Sequence, residues 1–464
     1  MSTAPSSHTA TTAAVPDGPS VPTGAAAPRA TSLRAALWRW HFWIGLLVAP
    51  ILLVIAVTGA LYVFKDEIQA VVHRDLYFVG QPENQLALPF ERRLAAARDA
   101  LEASWTLAGL NRTADPGRAD EFIFERPVGT PESAATEGHE HVHRFVYVDP
   151  YTAEVLGHID LENSFFGLVL RLHRTLLAGT AGRLVTELAT SWSIISVITG
   201  LTLWWSRRRQ YSRPRRPAGQ AAPRTRHRRF HILSGVNLGA VMLVIMVTGL
   251  LFTTVWGRAA LAGLYFGGQL PAAYVNPPKS SPVDPDAAPP GIDAIIAEAR
   301  THFPFAAFRL VAPETPQAPW IVLAPTQNGS LADGAVYIDT ATGHTLDAFA
   351  YASLAPGAKA ALLFYPIHTG SIFGLPTKLL AVVACLALGA LCITGVRMWW
   401  IRRPAGRFGA PASTHQARIP NSALAAIIGL GCLLPLAGAT MLLLGGVHLT
   451  RKAVARLHPL RTAQ

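Results

Sequence analysis

The sequence predicts a mainly α membrane protein: a helical transmembrane bundle of five spans that carries two small α+β modules on one side. Half of the 464 residues are hydrophobic and only 15% are charged, which is typical of a chain that lies largely in lipid. Five apolar runs are long enough to cross a hydrocarbon layer of about 30 Å as helices. Related motifs also recur along the chain, which indicates a tandem duplication.

The first 33 residues consist mainly of Ser, Thr, Ala, Pro and Gly and carry almost no charge. Such a segment cannot bury enough apolar surface to fold, and it is too polar for the core of a signal peptide. We therefore predict that 1–33 is a disordered cytoplasmic tail and that the first apolar run is kept as a membrane helix. The five predicted spans are 34–64, 184–206, 231–256, 376–401 and 422–447.

The basic residues predict the orientation of the spans. The segment 207–230 holds ten arginines and no acid, and 402–421 is also basic. By the positive-inside rule, the N-terminus and these two loops lie in the cytoplasm, and the protein belongs in a bacterial inner membrane. The formal charge of +12 then reflects this asymmetry, so we expect no nucleic-acid partner. The fifth span would leave the tail 448–464 on the periplasmic side.

The two long segments between spans, 65–183 and 257–375, face the periplasm in this arrangement and contain a cluster of acids. Helical periodicity predicts one amphipathic helix in each, Phe90–Ser104 and Ile292–His302. Short β patterns beside turns predict strands at Phe122–Glu125, Phe145–Val148, Trp320–Leu323 and Val336–Ile338. Each segment is therefore expected to form a small α+β module.

Four histidines keep the same spacing in both halves of the chain. His41 and His231 each precede a Thr-Gly pair by 17 residues, counted to the Thr, and His173 and His368 precede one by 26. The first two are 190 residues apart and the second two 195, so a helix–module–helix unit is duplicated and the fifth span lies outside the repeat. The Thr-Gly pairs are Thr58-Gly59, Thr199-Gly200, Thr248-Gly249 and Thr394-Gly395.

Depth in the membrane predicts how these histidines pair. Seventeen helical residues rise about 26 Å, so His41 and His231 lie at the cytoplasmic side, while His173 and His368 lie at the periplasmic surface. His41 can then meet His231, and His173 can meet His368. Two imidazole pairs in a helical bundle fit axial ligation of two b-type haems. No C-x-x-C-H motif is present, so the haems would be bound non-covalently.

Two other interpretations of the histidines stay open. A single interfacial histidine is commonly a boundary residue that bonds to solvent or backbone. A mononuclear metal site is the second, although two imidazoles per depth without carboxylate or thiolate neighbours suit zinc poorly. Haem ligation is favoured because the spacings recur in both halves and because ionisable groups inside membranes are usually functional.

Several further side chains have two interpretations each. Basic residues near the periplasmic surface could pair with haem propionates or only extend toward the lipid boundary; they are Arg171, Arg174, Arg183 and Lys378. The histidines of the 139–143 run would share one side of a strand and could contact a metal or iron chelate, but a polar loop without that role is favoured; they are His139, His141 and His143.

Small and aromatic residues in the spans have simpler interpretations. The Thr-Gly pairs allow close approach of either another helix or a porphyrin face. The tryptophan pairs are expected to form a belt at the cytoplasmic interface; they are Trp204, Trp205, Trp399 and Trp400. The three cysteines lie in apolar stretches and are interpreted as packing residues; they are Cys385, Cys392 and Cys432.

Over about 34–403, the sequence resembles the PepSY-associated transmembrane proteins. The segments that carry the resemblance are Leu37–Gly45, Val57–Tyr62, Leu172–Thr175, Thr199–Trp205 and Phe364–Gly370, with strands Phe145–Pro150 and Val336–Gly343. The resemblance implies that the outside modules are PepSY-like. Members of this family include iron-regulated inner-membrane proteins and ferric-siderophore reductases that use two haems.

The resemblance therefore implies a ferric-siderophore reductase. Electrons from a quinol or a separate reductase would pass outward and reduce an Fe(III)–siderophore in the periplasm, which weakens the hold of its hard oxygen ligands on iron. The chain shows no G-x-G-x-x-G of its own for a nicotinamide domain. A PepSY-bearing membrane scaffold or regulator without redox activity is the alternative. A transporter for haem or an iron chelate ranks third. Transport predicts polar or broken helices at the midplane, and the first four spans show little there beyond the Thr-Gly pairs.

Overall fold

The computed structural model describes residues 33–80, 85–127, 141–206, 208, 223–282, 286, 288–302, 305–325, 332–409 and 421–457. The predicted tail 1–33, the loop 207–230, the loop 402–421 and the tail 448–464 therefore lie wholly or partly outside the described residues. His139 also lies outside them.

The described helices include long apolar helices and shorter ones. In chain order they are α1 (Leu33–Tyr62), α2 (Lys65–Val72), α3 (Arg74–Tyr77), α4 (Phe90–Asp99), α5 (Phe165–Thr175), α6 (Gly179–Trp205), α7 (Pro223–Leu250), α8 (Val255–Phe266), α9 (Ala272–Val275), α10 (Ile292–His302), α11 (Pro356–Thr369), α12 (Leu375–Arg402), α13 (Asn421–Leu433) and α14 (Pro435–Leu457). Among the described residues, four helices are long and apolar enough to cross a membrane: α1, α6, α7 and α12. Each overlaps one of the first four predicted spans.

The four long helices form a bundle in which every helix contacts two others. α1 packs against α6 and α12, and α7 packs against the same two helices. Each half of the repeat supplies two of the four, so both halves share one apolar core in which residues such as Leu52 of α1 and Met242 of α7 are buried. Large apolar side chains such as Leu47 remain exposed on the outside of the bundle. A helix that is apolar on all sides is typical of a membrane span.

The fifth apolar run differs from the single span that the sequence predicts over 422–447. It is divided at Pro435 into α13 and α14, because proline has no N–H with which to continue the helical ladder. The Leu433 carbonyl beside the break accepts a hydrogen bond of 2.9 Å from Trp256 Nε1. α14 also bonds to α6, where Trp192 Nε1 donates to Thr440 Oγ1 at 3.1 Å. Whether this kinked pair crosses the membrane stays a prediction.

The two long segments between the spans, 65–183 and 257–375, together form one eight-stranded antiparallel sheet. Its strands are β1 (Thr106–Arg112), β2 (Asp120–Pro127), β3 (His141–Val148), β4 (Val155–Asp160), β5 (Phe308–Val311), β6 (Trp320–Pro325), β7 (Ala332–Ile338) and β8 (Thr345–Ala350). The order is β4-β3-β2-β1-β5-β6-β7-β8, so the two halves meet where β1 pairs with β5. The sequence predicts two separate modules, whereas the structure joins them into one continuous sheet.

One face of this sheet is covered by α4 and α10. The buried side chains of α4 are spaced as an apolar helical stripe, with Phe90, Leu94 and Ala97 facing the sheet. They share a core with Leu110 and Leu310, which oppose each other across the β1–β5 pair. The helix predicted at Phe90–Ser104 ends earlier, at Asp99, because the chain turns there to enter β1. The prediction for Ile292–His302 is confirmed.

Candidate functional site

The four repeated histidines form two pairs inside the bundle. The ring centroids of His41 and His231 are 6.3 Å apart, and those of His173 and His368 are 6.2 Å apart. His173 and His368 lie at the end of the bundle nearer the sheet, which we call the sheet end, and His41 and His231 lie toward the opposite end. These are the pairs that depth in the membrane predicts, and each pair takes one histidine from each half of the repeat.

The separation within each pair matches two imidazoles that face one metal ion. A metal–imidazole bond is about 2.0–2.1 Å long and the ring centroid lies about 1 Å behind the bonding nitrogen, so two rings on opposite sides of one ion have centroids roughly 6 Å apart. Rings joined by a hydrogen bond or stacked face to face would be closer, whereas rings in edge-on contact have centroids about 4.5–7 Å apart. The two separations are therefore compatible with a metal ion between the rings.

Each ring is held through Nδ1. His173 Nδ1 donates to the Ile55 carbonyl at 3.0 Å, and His368 Nδ1 donates to the Ile245 carbonyl at 2.8 Å. At the other end, His41 Nδ1 donates to the Ser196 carbonyl at 2.9 Å, and His231 Nδ1 donates to Thr394 Oγ1 at 3.1 Å. An Nδ1–H bonded in this way leaves Nε2 as the atom that can bind a metal.

The Nε2 atoms have no protein partner among the described residues, whose hydrogen bonds to these four rings all involve Nδ1. Nor does the described part of the chain hold a group of three or more His, Cys, Asp or Glu side chains suited to a metal ion. Each depth therefore offers two neutral imidazoles and no anionic ligand. That donor set is incomplete for a zinc ion, but it fits a haem, whose porphyrin supplies the four other ligands of the iron.

The four basic residues considered for haem propionates fall into two groups. Lys378 is already bonded to Glu67, with 2.6 Å between Nζ and Oε1, and Arg171 donates to the backbone carbonyl of Glu162. Arg174 and Arg183 instead lie close enough for their positive charges to repel each other. No carboxylate among the described residues pairs with either guanidinium, so these two are the better placed to receive an anionic group.

The second histidine run lies on strand β3. His143 Nδ1 bonds to Glu162 Oε1 at 3.0 Å, and Glu162 Oε2 accepts from the His143 amide at 2.9 Å. His141 and His143 both face Glu125 on the neighbouring strand at longer distances of 4.0 and 3.9 Å. Both side chains lie on one face of β3, as expected for residues two apart in a strand. His143 therefore ties β3 to the segment that leads into α5 and His173.

Two features of the site, a buried carboxylate and a set of glycine contacts, could not be predicted from the sequence. Glu187 of α6 is 1% exposed, and its carboxylate accepts hydrogen bonds from the Val255 and Trp256 amides at the start of α8. The only sequence signal for it is an acid inside an apolar run. The second feature is the contact of the Thr-Gly pairs, each of which lies against one of the four histidines. Their spacing from the histidines along the chain does not reveal this contact.

Comparison with known proteins gives one family. The model of the PepSY-associated TM region matches residues 38–402, which is most of the chain and includes both histidine pairs. No curated protein matches the chain significantly.

Proposed function

The chain belongs to the family of the PepSY-associated TM region, and from this premise we propose that it is a di-haem b-type electron carrier that reduces an Fe(III)–siderophore and so releases its iron. The proposal rests on the two histidine pairs, whose ring centroids are 6.3 and 6.2 Å apart. In all four rings Nδ1 is hydrogen-bonded. A histidine with a purely structural role has no need of an Nε2 without a hydrogen-bond partner, whereas a metal ligand does.

His41 and His231 would hold one haem, and His173 and His368 the other. When bound, the two groups would supply one-electron transfer. The Nδ1 hydrogen bond of each imidazole favours the tautomer in which Nε2 is free to bind iron. The apolar bundle around the rings excludes water and so contributes to the redox potential.

The two pairs lie at different depths. On α1, His41 and the Ile55 carbonyl that bonds to His173 are 14 residues apart, which is about 21 Å of helix. On α7, His231 and the Ile245 carbonyl that bonds to His368 have the same separation. A distance of about 21 Å is most of a hydrocarbon layer of about 30 Å. Two redox groups at these depths would connect the two sides of the membrane.

The surroundings of the sheet-end pair support an anionic group there. Arg174 and Arg183 repel each other without a nearby carboxylate among the described residues, and a haem propionate would relieve that repulsion. Arg171 and Lys378 are less suited to this role because each already has a partner. We propose the first two as the propionate contacts.

The proposed setting is a bacterial inner membrane with the N-terminus in the cytoplasm, in agreement with the ten arginines of 207–230. The sheet, formed by PepSY-like modules, would then face the periplasm, and the kinked pair α13–α14 would be the fifth span. The electron donor would be a quinol or a separate reductase at the far end of the bundle, and the Fe(III)–siderophore would be reduced at the sheet end.

The first test is the haem content of the full chain. We expect the protein purified in detergent to show b-type haem in a dithionite-reduced minus oxidised spectrum and two haems per chain in a pyridine haemochrome assay. His41→Ala and His231→Ala should lose the same haem, and His173→Ala and His368→Ala the other. His158→Ala is the matched control, because this side chain is exposed on β4 and lies outside both pairs.

The reduced protein should next be mixed with an Fe(III)–siderophore in the presence of an Fe(II)-specific chelating dye. One Fe(II) should appear for each haem electron lost. A haem-free wild-type protein would remove the redox proposal and leave the scaffold hypothesis. Haem without Fe(II) release would limit the protein to electron transfer toward another acceptor.

A further inference from the structure

The glycine of each Thr-Gly pair lies against a histidine ring. A methyl group at Gly249 would be 2.6 Å from Cε1 of His368, and one at Gly200 would be 2.9 Å from Cε1 of His41. At both positions, the three atoms nearest to such a methyl group all belong to that one ring. These glycines therefore face an imidazole, whereas a glycine of ordinary helix packing faces a neighbouring helix.

The contacts follow a reciprocal pattern within the first half of the chain. His41 of α1 lies against Gly200 of α6, while His173, which precedes α6, lies against Gly59 of α1 with 3.1 Å between Cε1 and an added methyl group. The carbonyl that accepts from Nδ1 belongs in both cases to the residue three before the Thr, Ser196 for His41 and Ile55 for His173.

The second half repeats this pattern. His368 lies against Gly249 of α7 and bonds to the Ile245 carbonyl, again three residues before the Thr. His231 lies against Gly395 of α12, but more loosely, since an added methyl group would be 3.7 Å from its Cε1. The same five-residue segment, from a carbonyl to a glycine, thus receives an imidazole in all four helices of the bundle, with Leu391 supplying the carbonyl for His231.

We propose that three of these glycines, Gly59, Gly200 and Gly249, are positioning residues for the haem ligands: the missing Cβ lets the imidazole lie back against the helix, and this sets the position of Nε2. The proposal rests on the proposed haem function. Carbon atoms in contact are normally about 3.5–4.0 Å apart, so a methyl group at Gly249 must push the His368 ring by about 1 Å. The ring would then lose its 2.8 Å bond to Ile245 or move out of line with His173.

The contact distances set the expected order of effects. Alanine should perturb most at Gly249, less at Gly200 and Gly59, and least at Gly395, where 3.7 Å is an ordinary contact. Because Gly249 and Gly59 touch the sheet-end pair, their variants should affect that haem alone. Gly200 touches the other pair. The same substitution, glycine to alanine, is therefore expected to have effects of graded size at the four positions.

The experiment compares Gly249→Ala with Gly395→Ala in the full-length protein, both purified in detergent and checked for a monodisperse peak. The readouts are haem content and the g-values of the low-spin ferric signals, which report the orientation and bonding of the axial imidazoles. We expect Gly249→Ala to shift the signal of one haem or lower its retention roughly 10-fold, and Gly395→Ala to match the wild-type protein. If Gly249→Ala does not fold, Gly200→Ala replaces it and should alter the other haem.

Wild-type signals for both haems in Gly249→Ala and Gly200→Ala would overturn this inference and leave the proposed function intact. An equal disturbance in Gly395→Ala would also overturn it, because that methyl group has room. A haem-free wild-type protein would instead overturn the proposed function and this inference with it.

Discussion

The histidine rings differ in whether a threonine hydroxyl lies beside Nδ1. Thr58 Oγ1 lies 3.2 Å from His173 Nδ1, and Thr394 Oγ1 lies 3.1 Å from His231 Nδ1. The Thr248 hydroxyl instead donates only to carbonyls of its own helix. Since the Thr394 hydroxyl donates to the Ala390 carbonyl at 2.7 Å, its lone pair is free to accept from the ring. Equivalent threonines of the repeat therefore differ in their contacts.

Thr394→Val should weaken the hold on His231. The substitution keeps the shape and removes the hydroxyl that accepts from Nδ1–H, which leaves the ring only its backbone hydrogen bond to Leu391. Loss of such an outer partner typically lowers metal affinity about 10- to 100-fold. The measurement is haem retention during dilution in detergent, followed by the reduced minus oxidised spectrum. Thr248→Val is the matched control and should retain both haems, since the Thr248 hydroxyl bonds only to carbonyls of its own helix. Equal losses in the two variants would contradict the assignment.

Among the helices, α8 depends on an acid from another element. Glu187 lies within the apolar helix α6, and its two oxygens accept from two amides that begin α8, at 2.9 and 2.8 Å. The first amides of a helix lack partners within the helix and carry partial positive charge, so a carboxylate there is stabilising. The same Trp256 also bonds to the Leu433 carbonyl at the kink, so one helix start connects α6 to the fifth apolar run.

Removing the Glu187 carboxylate should destabilise this connection. Glu187→Ala leaves two partly buried amides without their acceptor, which costs up to about 1–3 kcal/mol for each unsatisfied group. Glu187→Gln retains one acceptor oxygen and should lose less. Thermal unfolding in detergent is the measurement, with haem content as a check on the bundle. An alanine variant as stable as wild type would show that water satisfies the α8 amides.

In the molecule as a whole, neither half of the repeat completes a site. Each ring pair takes one histidine from each half, and the sheet is continuous only because β1 pairs with β5. The sheet is tied to the bundle through Glu162, which bonds to His143 of β3 by its carboxylate and accepts from Arg171 of α5 by its carbonyl. α5 also carries His173, so the sheet and the sheet-end pair are mechanically connected.

This connection should depend on pH. The hydrogen bond to Glu162, despite partial burial, raises the pKa of His143 above its ordinary value of 6.5. Burial opposes ionisation of Glu162, but the hydrogen bonds from His143 hold its pKa below its ordinary value of 4.5. The stabilisation due to His143 is complete below 6.5 and is lost as pH rises through its folded pKa. That due to Glu162 is complete above 4.5 and is lost as pH falls through its folded pKa.

The Tm difference between wild type and Glu162→Gln should therefore be largest between pH 4.5 and 6.5 and should shrink on either side. Differential scanning measurements across this range in detergent would show it. Glu154→Gln, at an exposed position in the turn between β3 and β4, should show no such pH profile. A difference that stays constant with pH would mean that the His143–Glu162 pair does not titrate.

The sequence by itself determined what depends on composition and spacing. Apolar length predicts the helices that carry His41 and His231, and the repeat predicts which histidines share a depth, because a helix converts residue count directly into distance. The amphipathic stripe of Ile292–His302 likewise follows from local periodicity. The family also follows from motifs that stand in order along the chain.

Only the tertiary structure decided which atoms meet. Gly249 touches His368 across 119 residues, and Glu187 reaches the amides of α8 from another helix. The β1–β5 pair joins two segments that local pattern treats as separate modules. Such contacts depend on how helices and strands pack in space, and spacing along one chain carries no direct record of that packing. The histidine pairs are the exception, because the membrane orders residues by depth before they pack.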